Sequence, residues 1–125
     1  MGILSGILGH ASEINVGELE QEFASILIEG EEIQRAYKLV RDLVVFTSKR
    51  LIIVDKQGMT GKKQEFQSIP YKNINRFSKE TAGHFDLDAE LRIWVKGQEE
   101  PIVKEFKKDK NIHEVYQVLS AYVLD

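Results

Sequence analysis

The sequence has no cysteine, no excess of basic charge and no long apolar run, and each of these absences excludes a class of protein. Without cysteine the chain cannot form disulfides, use a thiolate nucleophile or bind zinc through sulfur. Its 17 basic and 20 acidic side chains give a net charge of −3, which argues against a general nucleic-acid binder. No segment approaches the ~18 apolar residues of a membrane-spanning helix, and the first ten residues lack the basic stretch of a secretory signal. We therefore expect a cytoplasmic protein.

Short apolar runs rich in β-branched and aromatic residues dominate the middle of the chain. Residues 43–46 and 51–54 are two such runs, and turn-forming residues bound them. Apolar and polar side chains alternate over residues 87–95, which is typical of a strand with one buried face. Further strands are predicted at 33–40, 65–69, 74–79 and 102–106. About seven closely spaced strands indicate a sandwich or open barrel, so we predict a mainly β (α+β) fold.

Amphipathic helices are predicted on both sides of the strands. Asn15 and Glu18 have the spacing of a capping box, and Gly30 is expected to end the first helix. Asn111 and Glu114 repeat that spacing before a second helix, whose apolar residues recur at helical intervals. One helix after seven short strands indicates a cap on a small antiparallel barrel.

Three motifs in this order resemble the bacterial pleckstrin-homology-like domain family. They are residues 47–58 (TSKRLIIVDKQG), 68–71 (SIPY) and 81–91 (TAGHFDLDAEL), and the resemblance extends over essentially the whole chain. It implies two orthogonal sheets capped by the C-terminal helix. It divides the chain into an N-terminal helical extension, residues 1–30, and a pleckstrin-homology-like domain, residues 31–125, in a single structural unit. It also implies ring-shaped homo-oligomers with a polar surface where strands of neighbouring subunits meet, and a role in protein binding.

No cofactor, metal or catalytic site is predicted. The glycines of residues 58–63 lack the spacing of a nucleotide-binding loop, and strands rather than helices are predicted to flank them. His84, Asp86 and Asp88 could approach one metal ion, but a turn with solvent-facing carboxylates explains them more simply, and a polar partner-binding rim is a further alternative. The three histidines are scattered along the chain, so we expect no enzyme activity.

Membrane or lipid binding is the alternative function. Eukaryotic domains of this fold hold phosphoinositides with a basic loop between the first two strands, whereas residues 38–42 supply two cations, one acid and almost no loop. A second way to bind a membrane would use the N-terminal apolar segment, Ile3, Leu4, Ile7 and Leu8. This segment could insert as a wedge, but no basic residues flank it to attract anionic lipid. Membrane and phosphoinositide binding are therefore not expected.

Polar residues in and beside the motifs are the predicted partner-binding residues. Charges and hydroxyls at the loop ends of a rigid sheet are where binding residues concentrate. The set comprises Lys38, Arg41, Asp42, Thr47, Lys49, Arg50, Glu80, Thr81, His84, Asp86 and Asp88. We expect these residues to contact a protein partner.

Homo-oligomerisation is also expected from the two central apolar runs. In these runs the even-numbered residues, Val44, Phe46, Ile52 and Val54, are as apolar as the odd-numbered ones. Both faces of the two strands therefore have to be buried. The N-terminal helix could cover the second face within one subunit, which would predict a monomer. The N-terminal apolar segment also has no obvious packing site within the chain. One chain would therefore have to bury two apolar surfaces, this segment and the second face of the central strands. A closed ring would bury both.

Overall fold

The computed structural model describes residues 16–39, 42–57, 63–81, 89–106 and 111–125, and its strands form two antiparallel sheets. The four-stranded sheet contains, in this order, β1 (Ile33–Lys38), β2 (Leu43–Thr47), β3 (Arg50–Gln57) and β4 (Lys63–Pro70). The three-stranded sheet contains β5 (Ile74–Thr81), β6 (Ala89–Val95) and β7 (Ile102–Phe106). The remaining elements are α1 (Val16–Glu22), a 3₁₀ helix (Tyr71–Asn73) and α2 (Asn111–Val123). The predicted mainly β fold with seven strands and a C-terminal helix is confirmed.

The chain divides into two compact units, Met1–Ser68 and Ile69–Asp125. In the first unit, α1 and the residue after it complete a core with the β strands. Leu19 and Phe23, one helical turn apart, are 5% and 0% exposed and pack with Ile33 and Ala36 of β1. The same cluster contains Leu43, Val45, Ile52 and Val54. The N-terminal helical segment is therefore part of the core of the first unit.

The register of the β2–β3 hairpin determines which apolar residues share a face. Leu43 pairs with Val54 and Val45 with Ile52, and these four residues belong to the core that contains Leu19 and Phe23. The opposite face carries Val44, Phe46, Leu51 and Ile53. The predicted grouping, which placed Ile52 and Val54 on the same face as Val44 and Phe46, is wrong. Which residues of two paired strands share a face depends on the register of the pairing, and even or odd sequence position does not give that register.

Both faces of this hairpin are buried within a single chain. All eight apolar side chains of the two runs are at most 6% exposed. The helical segment that ends with Phe23 covers one of these faces, as the competing explanation proposed. The central runs consequently give no reason of their own for homo-oligomerisation.

α1 ends at Glu22, earlier than the predicted end at Gly30. Tighter turns follow it, in which the Ala24 N–H donates to Gln21 O at 3.3 Å and the Ile26 N–H to Phe23 O at 2.8 Å. Gly30 instead has a φ of +83°, in the left-handed region that favours glycine. Its function is to turn the chain into Glu31 and β1 rather than to end the helix.

In the second unit, α2 packs against β5, β6 and the 3₁₀ helix. Its buried side chains recur at the predicted helical positions and are Ile112, Val115 and Leu119. The Tyr116 ring lies 5.3 Å from that of Phe77 in β5, and the Tyr122 ring stacks at 4.6 Å on that of Tyr71. In β6 the buried residues alternate as predicted and are Ala89, Leu91 and Ile93.

Candidate functional site

The carboxylate of Glu31 is the most enclosed charged group that the described ranges contain, with no exposed side-chain surface. Arg50 binds it at two points, since Nε donates to Oε2 and Nη2 donates to Oε1, both at 2.8 Å. This two-point geometry adds both energy and geometric specificity to the interaction between the two charged groups. Each carboxylate oxygen thus has a charged donor, which offsets the cost of burying the charge. We call Glu31, Thr47 and Arg50 the Glu31 cluster.

Thr47 connects the carboxylate to the β2–β3 turn. Its hydroxyl lies 2.6 Å from Glu31 Oε2, to which it donates. The hydroxyl oxygen of Thr47, Oγ1, accepts from the backbone N–H of Lys49 at 3.0 Å and of Arg50 at 2.9 Å. Only two residues, Ser48 and Lys49, separate β2 from β3. The hydrogen bonds to the Thr47 hydroxyl stabilise the turn at these residues. Thr47 is fully buried, so its contacts are internal to the chain.

Arg50 and Glu31 also bind segments outside the hairpin. Arg50 Nη2 donates to the carbonyl oxygen of Ile26 at 2.7 Å, and Nη1 donates to Ser68 Oγ at 3.0 Å. The N–H of Ile28 donates to Glu31 Oε1 at 3.0 Å. The cluster therefore joins the segment after α1, the hairpin and β4. The carboxylate is closed off and fully bonded, so the arrangement stabilises structure and is not suited to acid or base catalysis.

Acid is expected to destabilise the protein through Glu31. The hydrogen bonds from Arg50, which outweigh the effect of burial, lower the pKa of this carboxyl from 4.5 to about 2. A carboxyl with a lowered pKa contributes stability above its unfolded pKa, and that contribution is lost as pH falls through the folded value. The loss occurs between about pH 5 and pH 2 and reaches about 2 kcal/mol at pH 3.

Urea unfolding of the wild type and of Glu31→Gln at pH 7, 4.5 and 3 tests this dependence. The variant is less stable at neutral pH because it loses the charge pair with Arg50. Its free energy of unfolding should nevertheless fall less steeply with acid than that of the wild type. Parallel pH profiles would show that Glu31 is not the group responsible.

The structure separates the predicted partner-binding residues into groups. Thr47, Lys49 and Arg50 lie at one end of β2, and Lys38 and Asp42 lie at its other end, about 14 Å away. The other described members, Glu80 and Thr81, end β5 in the second unit. The set also includes Arg41, His84, Asp86 and Asp88, which lie outside the described residues. The first unit therefore does not bring its five described members together into one site.

Surface exposure distinguishes the described members of the set. Thr47 is buried and Arg50 is bound to Glu31, so their contacts in this structure are internal. Asp42 is half-buried, and its Oδ1 accepts from the backbone N–H of Lys56 at 3.4 Å. The exposed members are Lys38, Lys49, Glu80 and Thr81. A partner-binding role for these residues stays a prediction.

Glu80 belongs to a surface ion-pair group on the second unit. Arg92 Nη2 donates to Glu80 Oε1 at 2.8 Å and to Glu90 Oε1 at 2.6 Å. The side chains of Glu80 and Arg92 are 64% and 35% exposed, so water and salt weaken these attractions. The charges that form this group are thus available at the surface, unlike those of the Glu31 cluster.

Sequence reasoning missed Glu31. It is one of three glutamates in residues 29–32, and nothing in the local pattern identifies the one whose side chain is buried. The only local signal is its position directly after Gly30, whose positive φ turns the chain at the entrance to β1. The partner of Arg50 therefore becomes identifiable only when the hairpin and β1 are placed together.

The described part of the chain contains neither a group of metal-binding side chains nor a membrane-spanning helix. Its histidine, aspartate and glutamate residues form no group of three that could hold a metal ion. None of the helices in this part of the chain is long and apolar enough to cross a membrane. His84, Asp86 and Asp88, the candidate metal ligands, lie outside these ranges, as do residues 58–62 of the glycine-containing loop.

Comparison with known proteins identifies the family. The family model for the bacterial PH domain matches residues 2–123. The protein YjqA of Bacillus subtilis (strain 168) is 61% identical over 122 residues, which cover 97% of this chain and 98% of YjqA. The crystal structure of a pleckstrin homology domain from Shewanella amazonensis SB2B has a TM-score of 0.84 and 54% identity, with 94% of each chain covered.

A second solved structure has the same fold. A DUF1696 family protein with a pleckstrin-homology domain, from Shewanella loihica PV-4, has a TM-score of 0.80 and 47% identity, with 92% of this chain and 98% of that chain covered. Its fold agrees with the two antiparallel sheets and C-terminal helix described above. The chain belongs to the bacterial pleckstrin-homology domain family.

Proposed function

We propose that this protein is a non-enzymatic binding module of the cytoplasm, which assembles into ring-like homo-oligomers and contacts a protein partner through a polar surface between subunits. The pleckstrin-homology fold is in general a binding or scaffold module. The ring-like assembly and the protein-binding role are expectations that come from the family resemblance. The proposal rests on three properties of β4: its position at the edge of the sheet, its length and its exposed polar side chains.

β4 is an outer strand of the four-stranded sheet, and it spans eight residues. Six of its side chains are exposed, and its polar members include Lys63, Gln64 and Glu65. An outer strand of this length offers backbone groups to a strand of another chain, which is a common basis of association. Its polar side chains fit a surface that becomes buried only when subunits meet.

Reversing one charge on β4 tests the proposal. Glu65→Lys is expected to weaken self-association by about tenfold or more, because it changes the charge pattern where the strands of two subunits would meet. Glu99→Lys is the matched control, since this residue is also exposed but lies in the turn between β6 and β7. Sedimentation velocity of the wild type and both variants over a dilution series measures the effect.

The outcome of this comparison is decisive in both directions. A lower mass for Glu65→Lys alone would support assembly through β4. Identical sedimentation of all three proteins as oligomers would place the contact elsewhere, and a monomeric wild type would contradict the assembly itself.

We predict that the protein does not bind acidic liposomes or inositol phosphates at micromolar concentration. Only four residues separate β1 from β2, and the N–H of Leu39 donates to Asp42 O at 2.8 Å, which holds together the two ends of the turn between these strands. This turn does not provide the long basic loop that a phosphorylated headgroup needs.

Co-sedimentation with vesicles that contain phosphatidylserine and a phosphoinositide measures this binding. Saturable binding that is lost in the double variant Ile3→Ser and Leu4→Ser would favour the membrane-wedge alternative. Saturable binding that survives these changes would indicate a headgroup site and would also contradict the prediction.

A further inference from the structure

The three-stranded sheet has one buried face and one exposed face. On the buried face Leu91 and Ile93 are each 1% exposed, and Phe77, which pairs with Ile93, contacts Tyr116 of α2. Because successive side chains of a strand point to opposite faces, the intervening residues of β5, β6 and β7 project from the other face. Val103 is one of them and is 42% exposed. This exposed face is accessible to another molecule.

The strand registers arrange the residues of the exposed face in three rows across the sheet. In the first row Arg76 pairs with Trp94, and its Cζ atom lies 4.1 Å from the centroid of the Trp94 ring. The middle row contains Ser78, Arg92 and Val103, because Arg92 pairs with both of the others. The first row thus carries a positive charge over an aromatic ring.

The third row holds three glutamates side by side. Glu90 of β6 pairs with Glu80 of β5 on one side and with Glu105 of β7 on the other. Like charges that lie directly opposite each other on a sheet repel. Arg92 contacts Glu80 at 2.8 Å and Glu90 at 2.6 Å, so two of the three carboxylates share one guanidinium group. The face is therefore negative at its third row and positive at its first row. We call the surface formed by these three rows the Trp94 face.

We propose that the Trp94 face binds the Trp94 face of a second copy of this chain, with a two-fold axis along the middle row. This axis runs across the strands and reverses their direction, so the first row of each copy lies against the third row of the other. Arg76 then meets Glu80 of the second copy, and Trp94 meets Glu90 of the second copy. Two sheets that pack face to face lie about 10 Å apart, with their side chains interdigitated.

The rows that meet in this way are complementary in charge. The first and third rows each lie two residues from the middle row along β5, so one rotation brings both pairs of rows together. Arg76 supplies a cation where the second copy has its glutamates, and electrostatic complementarity of this kind determines the partner and the register of an interface. Arginine and tryptophan are also enriched among the residues that dominate binding energy. One surface that supplies both complementary rows matches a second copy of itself.

The middle row meets its own counterpart across the axis. Val103 packs on Val103 of the second copy, which removes apolar surface from water. Arg92 approaches Arg92 of the second copy, but the ion pairs with Glu80 and Glu90 offset its positive charge. The middle row therefore adds apolar contact without adding an uncompensated charge.

This contact is separate from the assembly proposed for β4. Most of β4 belongs to the first unit, whereas the Trp94 face belongs to the second. A two-fold contact joins two single chains if the protein forms no ring, and it joins two rings face to face in a closed assembly if it does. Loss of the contact should halve the molar mass in either case.

Reversing the charge of Arg76 tests the proposal in the full-length protein. Arg76→Glu places a further carboxylate against the glutamates of the second copy, so the molar mass from light scattering at micromolar concentration should fall to half of the wild-type value. Lys72→Glu is the matched control, since it makes the same charge change at an exposed residue of the 3₁₀ helix in the same unit. Its mass should equal that of the wild type.

A charge swap across the axis makes the test specific. Glu80→Arg alone should also halve the mass, because it places a cation against Arg76 of the second copy. The double variant Arg76→Glu and Glu80→Arg restores opposite charges and should recover the wild-type mass. An unchanged mass in Arg76→Glu, an equal loss in Lys72→Glu, or no recovery in the double variant would contradict the proposal. None of these results bears on β4, which the Glu65→Lys comparison tests by itself.

Quenching of tryptophan fluorescence by acrylamide provides a second measurement, because Trp94 is the single tryptophan of the chain. The single variant Arg76→Glu and the double variant both lack the guanidinium group over the Trp94 ring, so only the contact between copies distinguishes them. Acrylamide should quench Trp94 more strongly in the single variant than in the double variant. Equal quenching of the two variants would contradict the proposal.

Discussion

Replacing Arg50 with alanine is expected to lower the free energy of unfolding by about 3–5 kcal/mol. The change leaves the Glu31 carboxylate, which has no exposed surface, without its charged donors. It also removes the donors to Ile26 O and Ser68 Oγ, so the end of α1 and β4 lose their connection to the hairpin. Urea unfolding followed by circular dichroism at pH 7 measures the loss.

Arg92→Ala is the matched control for this experiment. Arg92 also contacts two carboxylates at hydrogen-bond distance, those of Glu80 and Glu90. Because Arg92 and its partners are each about one-third or more exposed, the expected cost is only about 0–1 kcal/mol. Similar losses in the two variants would mean that burial does not distinguish the Glu31 cluster from a surface ion pair.

Truncating Phe23 to alanine is expected to cost about 3–5 kcal/mol. Phe23 is fully buried in the cluster that joins the helical segment to Ile33, Ala36 and the central hairpin. Its ring also supports Phe66 at 5.6 Å. A loss of this size is a large fraction of the 5–15 kcal/mol that holds a typical domain together.

Phe66→Ala provides the comparison for Phe23→Ala, since it removes the other ring of the same aromatic pair from a partly exposed site. We expect a loss below about 2 kcal/mol, because less apolar area leaves contact with protein. If Phe23→Ala costs no more than Phe66→Ala, the N-terminal helical segment is a peripheral extension and not part of the core.

Periodicity and turn chemistry predict most of the fold of this chain. The alternation in β6 and the helical spacing of Ile112, Val115 and Leu119 each follow from how side chains meet one buried face. These patterns depend on local geometry alone. For that reason the predicted bounds of β7 agree with the structure, and α2 begins at Asn111, the residue predicted to cap it.

Features that depend on contacts between distant residues are not predictable in the same way. Val44 of β2 pairs with Ile53 of β3, so these two side chains lie on the same face of the sheet. This pairing depends on the register of the hairpin, which the sequence pattern does not reveal. In the segment that follows the early end of α1, the Ile26 carbonyl is bound by Arg50, more than twenty residues away. Local propensity cannot anticipate a hydrogen bond of this kind.

The candidate site shows the same division between local and distant information. Lys49 and Arg50 are adjacent in a polar segment, and the sequence pattern predicts both equally as partner-binding residues. The structure exposes Lys49 and directs Arg50 toward Glu31, nineteen residues earlier in the chain. A role in binding thus remains a prediction for Lys49, whereas Arg50 has a structural role.

The molar mass of the wild-type protein in solution tests the proposed assembly most directly. Multi-angle light scattering across a hundredfold dilution in the micromolar range should give one constant mass that is an integral multiple of the 14.3 kDa chain. Closed rings have no free ends at which further subunits add, so the mass should not grow with concentration. A mass of 14.3 kDa at every concentration would contradict the homo-oligomeric binding module.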